Sequence, residues 1–263
     1  MKVLVTGLHG TLGRQLKIYL ESKGDTVIGW NRNVVPIDQY YPMEDYIRME
    51  KPDMLIHLAV NSKPTGRENE NWIVNYQWPS ELAWITRNLN IRFVYTSTVM
   101  VFSDYAVGPF TIDSLPDNNK GYGFEKRIAE GRIQYQNPDS ITLRLGWQII
   151  NEMGSNNMID YLENQQSTQG SVRCSTRWLP ACSFAEDTAA VLRESLTMKP
   201  GLYQVDSNKG WNFFEIATAL RDKFGKNWDL EPTGDFVFDQ RMIDDRLKVT
   251  PLSKRLPGLR KLK

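Results

Sequence analysis

The sequence has few cysteines, few histidines and no long apolar run. Its two cysteines, Cys174 and Cys182, are too few for a disulfide framework or a four-cysteine zinc site, and they favour a reducing compartment. No apolar stretch approaches the roughly 18 residues of a membrane span. Gly7, His9 and Gly10 interrupt the first apolar stretch too early for a signal peptide. We therefore expect a cytoplasmic protein with no membrane partner and no metal.

The sequence also lacks an excess of charge of either sign. Its 32 Lys and Arg and 31 Asp and Glu leave a net charge of +1, which gives no reason to expect nucleic acid as a partner. A hydrophobic content of 41% and a charged content of 24% are ordinary for a globular protein. At 263 residues, the chain is long enough for one large domain or for a domain with a smaller lobe.

Short apolar runs alternate with segments of helical periodicity in the N-terminal half. Buried strands are predicted at residues 2–6, 26–30, 53–59, 92–97 and 141–145. Strands that alternate with helices require right-handed crossovers and a parallel sheet covered on both faces. The fold class predicted is therefore α/β: a Rossmann-type, doubly wound parallel sheet with a small C-terminal substrate-binding lobe.

The regularity of this pattern fades after residue 146, which sets the predicted domain boundaries. We assign residues 1–145, together with about 178–206, to a dinucleotide-binding domain. Residues of about 146–177 and 207–263 are assigned to the lobe. A late helix is still indicated there, because Asn212 can cap an apolar helical stripe and a glutamate follows three residues later.

A glycine-rich segment lies between the first predicted strand and the first predicted helix. Its spacing, Gly-x-x-Gly-x-x-Gly, allows a tight turn, close approach of the backbone to a pyrophosphate, and close packing of helix on strand. The N-terminus of the helix adds free N–H groups for phosphate oxygens. We interpret the segment as a nucleotide-binding loop, the alternative being a tight structural turn. The predicted cofactor contacts here are Gly7, His9, Gly10, Thr11, Leu12 and Gly13, although His9 is more simply a solvated turn residue.

The residues after the second predicted strand indicate which nicotinamide cofactor is used. NAD-binding versions of this fold place a carboxylate there for the ribose 2′-hydroxyl. Here the strand ends in Trp30, Asn31 and Arg32, with no acid. A guanidinium can pair with a 2′-phosphate, whereas a carboxylate would repel it. We therefore predict NADP, bound through Asn31 and Arg32; the alternative is that Arg32 is only a surface residue.

A Tyr-x-x-x-Lys pattern occurs at Tyr122 and Lys126, a pattern that is common and only weakly specific when it stands alone. A spacing of four residues places both side chains on one face of a predicted helix that continues through Ala129 and Ile133. A free tyrosine titrates at about pH 10. An adjacent ammonium and an oxidised nicotinamide would favour the phenolate and lower that pKa. The alternative is an ordinary, half-exposed helix face.

Together with the glycine loop, these residues resemble the extended short-chain dehydrogenases/reductases that act on sugar nucleotides, above all the dTDP-4-dehydrorhamnose reductases. The segment from Val94 to Phe102 is similar to their strand with the catalytic hydroxyl, and Thr98 holds the matching position, 24 residues before Tyr122. Asn75 also matches the family pattern. Segments 144–147, 201–205 and 241–247 resemble it more loosely.

The resemblance implies that NADPH reduces a keto group on a nucleotide-linked sugar. Tyr122 would be the general acid, Thr98 would hydrogen-bond the carbonyl oxygen, and Lys126 would hold the nicotinamide ribose. Further cofactor contacts are expected at Leu58 and Ala59. Substrate contacts are expected at Ser62, Val99, Asn157, Arg241 and Arg246. The resemblance also suggests a homodimer.

One departure from the family pattern follows Thr98. The family usually has Asp-Tyr there, whereas this chain has Val99 and Met100, which cannot supply the acids that 4,6-dehydratases use for elimination. The sugar, the nucleotide and the direction of the reaction stay open. Two alternatives to a reductase also remain. One is a sugar-nucleotide 4-epimerase of the same branch, and the other is a non-catalytic NADP-binding regulatory subunit, like that of methionine adenosyltransferase.

Overall fold

The computed structural model describes residues 1–62, 64–153 and 156–261. The strands are β1 Lys2–Thr6, β2 Thr26–Gly29, β3 Met54–His57, β4 Arg92–Thr98, β5 Ile141–Leu145, β6 Trp147–Ile149, β7 Val172–Ser175, β8 Trp178–Leu179, β9 Cys182–Phe184, β10 Gly201–Val205, β11 Leu230–Thr233 and β12 Phe238–Asp239. The α-helices are α1 Thr11–Ser22, α2 Tyr40–Glu50, α3 Glu70–Trp72, α4 Trp78–Asn88, α5 Gly121–Gln136, α6 Met158–Gln169, α7 Ala185–Glu194, α8 Phe213–Phe224 and α9 Leu252–Arg255. Ile73–Gln77 is a π-helical turn, and Val99–Val101 and Pro257–Lys261 are 3₁₀ turns.

Six strands form the central sheet, in the order β10-β5-β4-β3-β1-β2. Val5 of β1 lies in parallel register with Gly29 of β2 on one side and Ile56 of β3 on the other. The predicted parallel α/β sheet is therefore confirmed. Because the strand order reverses at β1, the carboxyl ends of β1 and β3 flank the crevice in which open parallel sheets bind ligands.

Alternating apolar side chains of the central strands form a core with α4 and α5. Leu55 of β3 and Phe93 of β4 are fully buried there, in one cluster with Leu82 of α4 and Ile133 of α5. Successive residues of a strand point to opposite faces of the sheet. Tyr95, two residues after Phe93, consequently lies on the same face and belongs to the same buried cluster.

The chain divides into two compact units, each built from several segments. The first comprises Met1–Ser103, Leu115–Arg144 and Ala189–Tyr203; the second comprises Asp104–Ser114, Leu145–Thr188 and Gln204–Lys263. The segment predicted as 178–206 is therefore divided between them, because β8 and β9 pair with β12 and β6 of the second unit. Residues 154, 155, 262 and 263 of the predicted lobe lie outside the described residues.

The second unit contains a segment that the sequence pattern did not indicate. Phe110, from residues 104–114, donates its backbone N–H to the carbonyl of Arg241 over 2.8 Å and accepts one from Ile243 over 2.7 Å. The late helix behaves as predicted. The side chain of Asn212 accepts from the N–H of Glu215, and the Glu215 carboxylate accepts from the N–H of Asn212, which confirms the cap of α8.

A buried carboxylate ties three segments of the second unit together. Asp206 accepts backbone N–H groups from Cys182 over 3.0 Å, Asn208 over 2.8 Å and Met242 over 2.9 Å. Burial raises the pKa of Asp206 to about 7, although these donors act in the opposite direction. The Asp206 carboxyl therefore links these three segments, and its charge changes near neutral pH.

Within the described ranges, none of the helices combines the length and the apolar character needed to cross a membrane.

Candidate active site

The glycine loop after β1 has the geometry of a cradle for a small anionic group. Gly7 has a φ of +71°, and a Cβ there would lie 2.8 Å from the backbone nitrogen of Ala59. A Cβ on Gly13 would overlap the carbonyl oxygen of Gly7. Only glycine fits both positions, so the backbone itself forms the surface that a ligand would meet.

The helix that follows leaves its first N–H groups available. Helix α1 begins at Thr11, and Gly10 precedes it without any side-chain cap. Thr11 and Leu12 are half-buried, whereas His9 is exposed, in line with its interpretation as a solvated turn residue. Free amides at a helix N-terminus suit phosphate oxygens. These residues fit the pyrophosphate of a dinucleotide.

The loops after β1 and β3 are tied to each other by Thr6. Its hydroxyl accepts the backbone N–H of Ala59 over 3.2 Å and lies 3.0 Å from Nδ1 of His57. The N–H of Leu58 donates to the carbonyl of Thr6 over 3.2 Å. Leu58 and Ala59 are thereby held beside the glycine loop, at the switch point of the sheet.

The turn after β2 exposes the residues predicted to choose the cofactor. Buried Trp30 anchors this turn by donating its indole N–H to the carbonyl of Val35 over 3.1 Å. Asn31 and Arg32 are exposed. In the part of the chain that the structure describes, Arg32 forms no salt bridge, so its guanidinium is available to an anion.

The predicted catalytic residues lie on two elements that contact each other. Thr98 ends β4, and its Oγ1 accepts the N–H of Met100 over 3.1 Å, so its hydroxyl hydrogen can be donated elsewhere. Tyr122 and Lys126 lie on α5, which confirms the predicted helix. A Cβ on Gly123 would overlap the carbonyl oxygen of Met100, so the start of α5 packs directly on the turn after Thr98.

Burial controls the protonation of both α5 residues. The spacing of four residues predicts a lowered pKa for Tyr122, but burial, reinforced by the Glu125 carboxylate, raises it. Burial lowers the pKa of Lys126 to about 7, against the attraction of Glu130 and Glu125. The phenol is therefore protonated at neutral pH.

The Lys126 side chain is fully buried. Its Nζ lies 5.9 Å from the centroid of the Tyr122 ring and has no hydrogen-bond partner among the described residues. A buried donor without a partner is energetically costly, which favours a ligand that brings acceptors. The hydroxyl groups of a ribose are acceptors of this kind.

A hydrogen-bond chain that the sequence analysis missed joins α5 to the loop after β3. Asn75 donates its side-chain N–H to Glu125 over 2.8 Å and accepts the backbone N–H of Asn61 over 3.2 Å. Asn75 lies in the π-helical turn, a distortion that is frequent at functional sites. Asn75 matches the family pattern, but the spacing of residues in the sequence could not predict its contact with Glu125, 50 residues away.

The predicted substrate contacts fall into two groups. Ser62 is exposed and Val99 is buried, both in the first unit. Asn157 is in the second unit, where its side chain caps α6 by accepting the N–H groups of Ile159 and Asp160. It is 1% exposed, so the cap explains its burial without a ligand.

The other two predicted contacts, Arg241 and Arg246, already have carboxylate partners in the second unit. Arg241 binds Asp239 through Nε and Nη2 over 2.8 and 2.6 Å. Arg246 binds Asp244 in the same way over 2.8 and 2.7 Å. Each bidentate pair orients its guanidinium and partly neutralises it.

Comparisons with known proteins identify one matching family for this chain. The family model described as RmlD substrate binding domain matches residues 1–239. The spore coat polysaccharide biosynthesis protein SpsK of Bacillus subtilis is 24% identical over 227 residues, which cover 85% of this chain and 80% of that protein. A dTDP-4-dehydrorhamnose reductase of Burkholderia thailandensis is 27% identical over 152 residues, 56% of this chain and 50% of the relative. The chain thus spans about half the length of that reductase.

Solved structures show the same fold. A dTDP-4-dehydrorhamnose reductase from Bacillus anthracis in complex with NADP has a TM-score of 0.81 at 16% identity, covering 99% of this chain and 97% of that one. A dTDP-4-dehydrorhamnose reductase from Clostridium acetobutylicum has a TM-score of 0.77 at 21% identity, covering 89% and 84%.

Proposed function

The chain belongs to the family of the RmlD substrate binding domain, and from this membership we propose that it is an NADPH-dependent reductase of the extended short-chain dehydrogenase/reductase type. Its substrate would be a keto group on a nucleotide-linked sugar. The observation that carries the proposal is the buried Lys126 ammonium beside Tyr122, which lacks a hydrogen-bond partner among the described residues. The curated reductase relatives support the reaction class.

The residues that would hold the cofactor lie in the first unit. The loop from Gly7 to Gly13 would receive the pyrophosphate on backbone amides. Arg32 and Asn31 would bind the 2′-phosphate, since no carboxylate stands at the end of β2 to repel it. Leu58 and Ala59, held beside this loop, would also contact the cofactor, and Lys126 would donate to the ribose hydroxyl groups. NADPH, when bound, supplies the hydride.

Tyr122 would complete the reduction by donating its proton. The Oη–H bond breaks as a new O–H bond forms on the former carbonyl oxygen, so the product is an alcohol and the tyrosine becomes a phenolate. The raised pKa of Tyr122 keeps the phenol protonated until then. Thr98 would donate its free hydroxyl hydrogen to the same oxygen, and the Lys126 ammonium would stabilise the phenolate.

The proposed substrate contacts are Ser62, Val99, Asn157, Arg241 and Arg246. Arg241 would bind the diphosphate through guanidinium N–H groups that its pair with Asp239 does not use, because a guanidinium has five donors and that pair uses two. Arg246, oriented by Asp244, would be a second contact of the same diphosphate. A homodimer and a cytoplasmic location remain part of the proposal.

Turnover tests the proposal directly. Purified protein is incubated with NADPH and a panel of 4-keto sugar nucleotides, and NADPH oxidation and product structure are measured. Tyr122→Phe keeps the ring but removes the proton, so kcat should fall about 10²–10⁴-fold while NADPH binding is retained. Tyr135→Phe, at an exposed site on the same helix, is the control.

Two results would contradict the reductase assignment. Conversion of the sugar without net NADPH oxidation would identify a 4-epimerase. Tight NADPH binding with no turnover of any keto sugar would favour the regulatory-subunit alternative. Near-normal activity of Tyr122→Phe would exclude Tyr122 as the acid.

A further inference from the structure

An aromatic ring lies close to the Lys126 ammonium. Its Nζ lies 4.2 Å from the centroid of the Tyr95 ring, closer than to the ring of Tyr122. Both Lys126 and Tyr95 are fully buried. Among the described residues, neither Nζ nor the Tyr95 hydroxyl has a hydrogen-bond partner. The Tyr95 ring face is therefore the nearer of the two aromatic rings that this buried donor contacts.

We propose that Tyr95 is a positioning residue for Lys126, whose ammonium is held in place by the face of the Tyr95 ring. The negative face of an aromatic ring attracts a cation within about 6 Å, and the attraction is strongest where water is excluded. Without such a partner, a buried ammonium would be strongly destabilised.

The Tyr95 ring is itself held by a row of side chains across three strands. Thr6, His57 and Tyr95 occupy paired positions on β1, β3 and β4. The His57 ring stacks on Tyr95 with centroids 5.9 Å apart, and Trp78 of α4 contacts His57 in a T-shaped arrangement with centroids 5.0 Å apart. The row begins at the hydroxyl that ties the glycine loop to Ala59, so the position of Lys126 is connected to the nucleotide loop.

Neither titratable side chain of this row, His57 or Tyr95, carries a charge. The row therefore orients Lys126 through the face of the Tyr95 ring. Burial and the nearby Lys126 hold the pKa of His57 well below its usual range, so this imidazole is neutral. Burial, reinforced by the Glu130 and Glu125 carboxylates, holds the pKa of Tyr95 well above its usual range, so its phenol is neutral as well.

Two carboxylates on α5, Glu130 and Glu125, also attract Lys126, but each has another partner. Arg144 binds Glu130 over 2.8 Å, and Asn75 binds Glu125 over 2.8 Å. Neither carboxylate forms a hydrogen bond with Nζ. They favour the charged form of Lys126 without fixing where its nitrogen lies.

The decisive experiment weakens the negative face of the aromatic ring at position 95 and keeps the shape of the ring. Tyr95 is replaced by Phe and then by phenylalanines carrying one, two and three fluorine atoms, which weaken the negative face stepwise. The pKa of Lys126 is measured by NMR on protein with ¹³C at the lysine ε-carbon, and Lys126→Met identifies the signal. Tyr95→Phe should leave the pKa close to the wild-type value, and each fluorine should lower it. Tyr95→Leu should lower it by about one pH unit.

The same pKa in the whole fluorinated series would overturn the proposal, and this series decides even if Tyr95→Leu fails to fold. Tyr135→Leu, at an exposed site of α5, is the matched control and should not move the signal. The importance of Tyr95 for turnover rests on the proposed reductase function, but the titration needs no substrate. If the pKa of Lys126 falls with each added fluorine but the wild type converts no keto sugar, the reductase function alone is overturned and the role of Tyr95 is supported.

Discussion

At the scale of single residues, the burial of Lys126 conflicts with the charge that its proposed role requires. Burial opposes its charge and lowers its pKa to about 7, whereas the proposed reaction needs an ammonium beside Tyr122. A ligand with hydroxyl and phosphate oxygens would reverse the balance, because hydrogen bonds to the charged form favour it. Cofactor binding should therefore be coupled to the protonation of this side chain.

The first prediction is proton uptake on NADPH binding. With a pKa of about 7, Lys126 is mostly neutral at pH 8 and mostly charged at pH 6. Binding at pH 8 should take up close to one proton, and binding at pH 6 close to none. Calorimetry in two buffers of different ionisation enthalpy measures this number. Lys126→Met should abolish the uptake at pH 8, and an unchanged uptake in that variant would assign the proton to another group.

The second prediction concerns Arg32, which is exposed and free of any described salt bridge. Arg32→Ala should weaken NADPH binding about tenfold or more, since a charge-assisted hydrogen bond contributes about 1.5–3 kcal/mol. NADH binding should hardly change, because that cofactor has no 2′-phosphate. Arg48→Ala, at an exposed arginine of α2, is the control. Equal wild-type affinity for NADPH and NADH would contradict the role of Arg32.

At the scale of elements, local patterns were predictable and distant contacts were not. The glycine loop, α5 and the cap of α8 each depend on residues within about one or two helical turns, so their spacing in the sequence is informative. The contact of Glu125 with Asn75 joins residues 50 positions apart. The raised pKa of Tyr122 also escaped prediction, because burial depends on packing that spacing does not report.

The third prediction uses the packing of Gly13. A Cβ at this position would overlap two backbone carbonyls, so Gly13→Ala must move the loop. We expect a loss of about 1–3 kcal/mol in the free energy of unfolding and a clear loss of NADPH affinity. Gly131→Ala on α5 is the matched control: nothing lies within 4 Å of its Cβ, and it should stabilise the protein by about 0.5–1 kcal/mol. Undiminished NADPH affinity in Gly13→Ala would argue against the loop as the pyrophosphate site.

The fourth prediction concerns Asp206, whose buried carboxyl links three segments of the second unit. Its folded-state pKa of about 7 lies above the ordinary value of 3.8, so its contribution to stability is full below about pH 4 and is lost as the pH rises to about 7. The difference in unfolding free energy between wild type and Asp206→Asn should therefore shrink across this window. Urea denaturation at several pH values measures it. A difference that is constant from pH 4 to 7 would contradict the raised pKa.

At the scale of the whole molecule, the sequence indicated a sheet domain and a lobe but not how the chain is shared between them. Residues 104–114 belong to the second unit although the segments on either side belong to the first. This segment contacts the second unit through backbone hydrogen bonds of Phe110, which leave no pattern of residue types. The buried Phe110 ring also contacts Phe238, with centroids 6.2 Å apart. Contacts of this kind between distant segments are the part of the architecture that composition and periodicity could not predict.

The fifth prediction separates the two units by function. Arg241→Ala should raise the KM for the nucleotide sugar about tenfold and leave the Kd for NADPH unchanged, since the residue lies in the second unit and the glycine loop in the first. Arg173→Ala, at an exposed arginine of the second unit, is the control. If Arg241→Ala weakened NADPH binding instead, the segment would belong to the cofactor site.

The interleaving of the two units also sets an order of assembly during synthesis. Strand β10, which completes the central sheet beside β5, comes from residues 201–205, so it is made after all of residues 145–188 of the other unit. Until then, β5 is an edge strand of the sheet, and its free backbone N–H and C=O groups can pair with strands of other chains. Domains usually fold one after another as they leave the ribosome. Here neither unit is complete before synthesis of the other has begun. A nascent chain stopped near residue 150 should therefore not form a stable folded domain, and it should depend on chaperones.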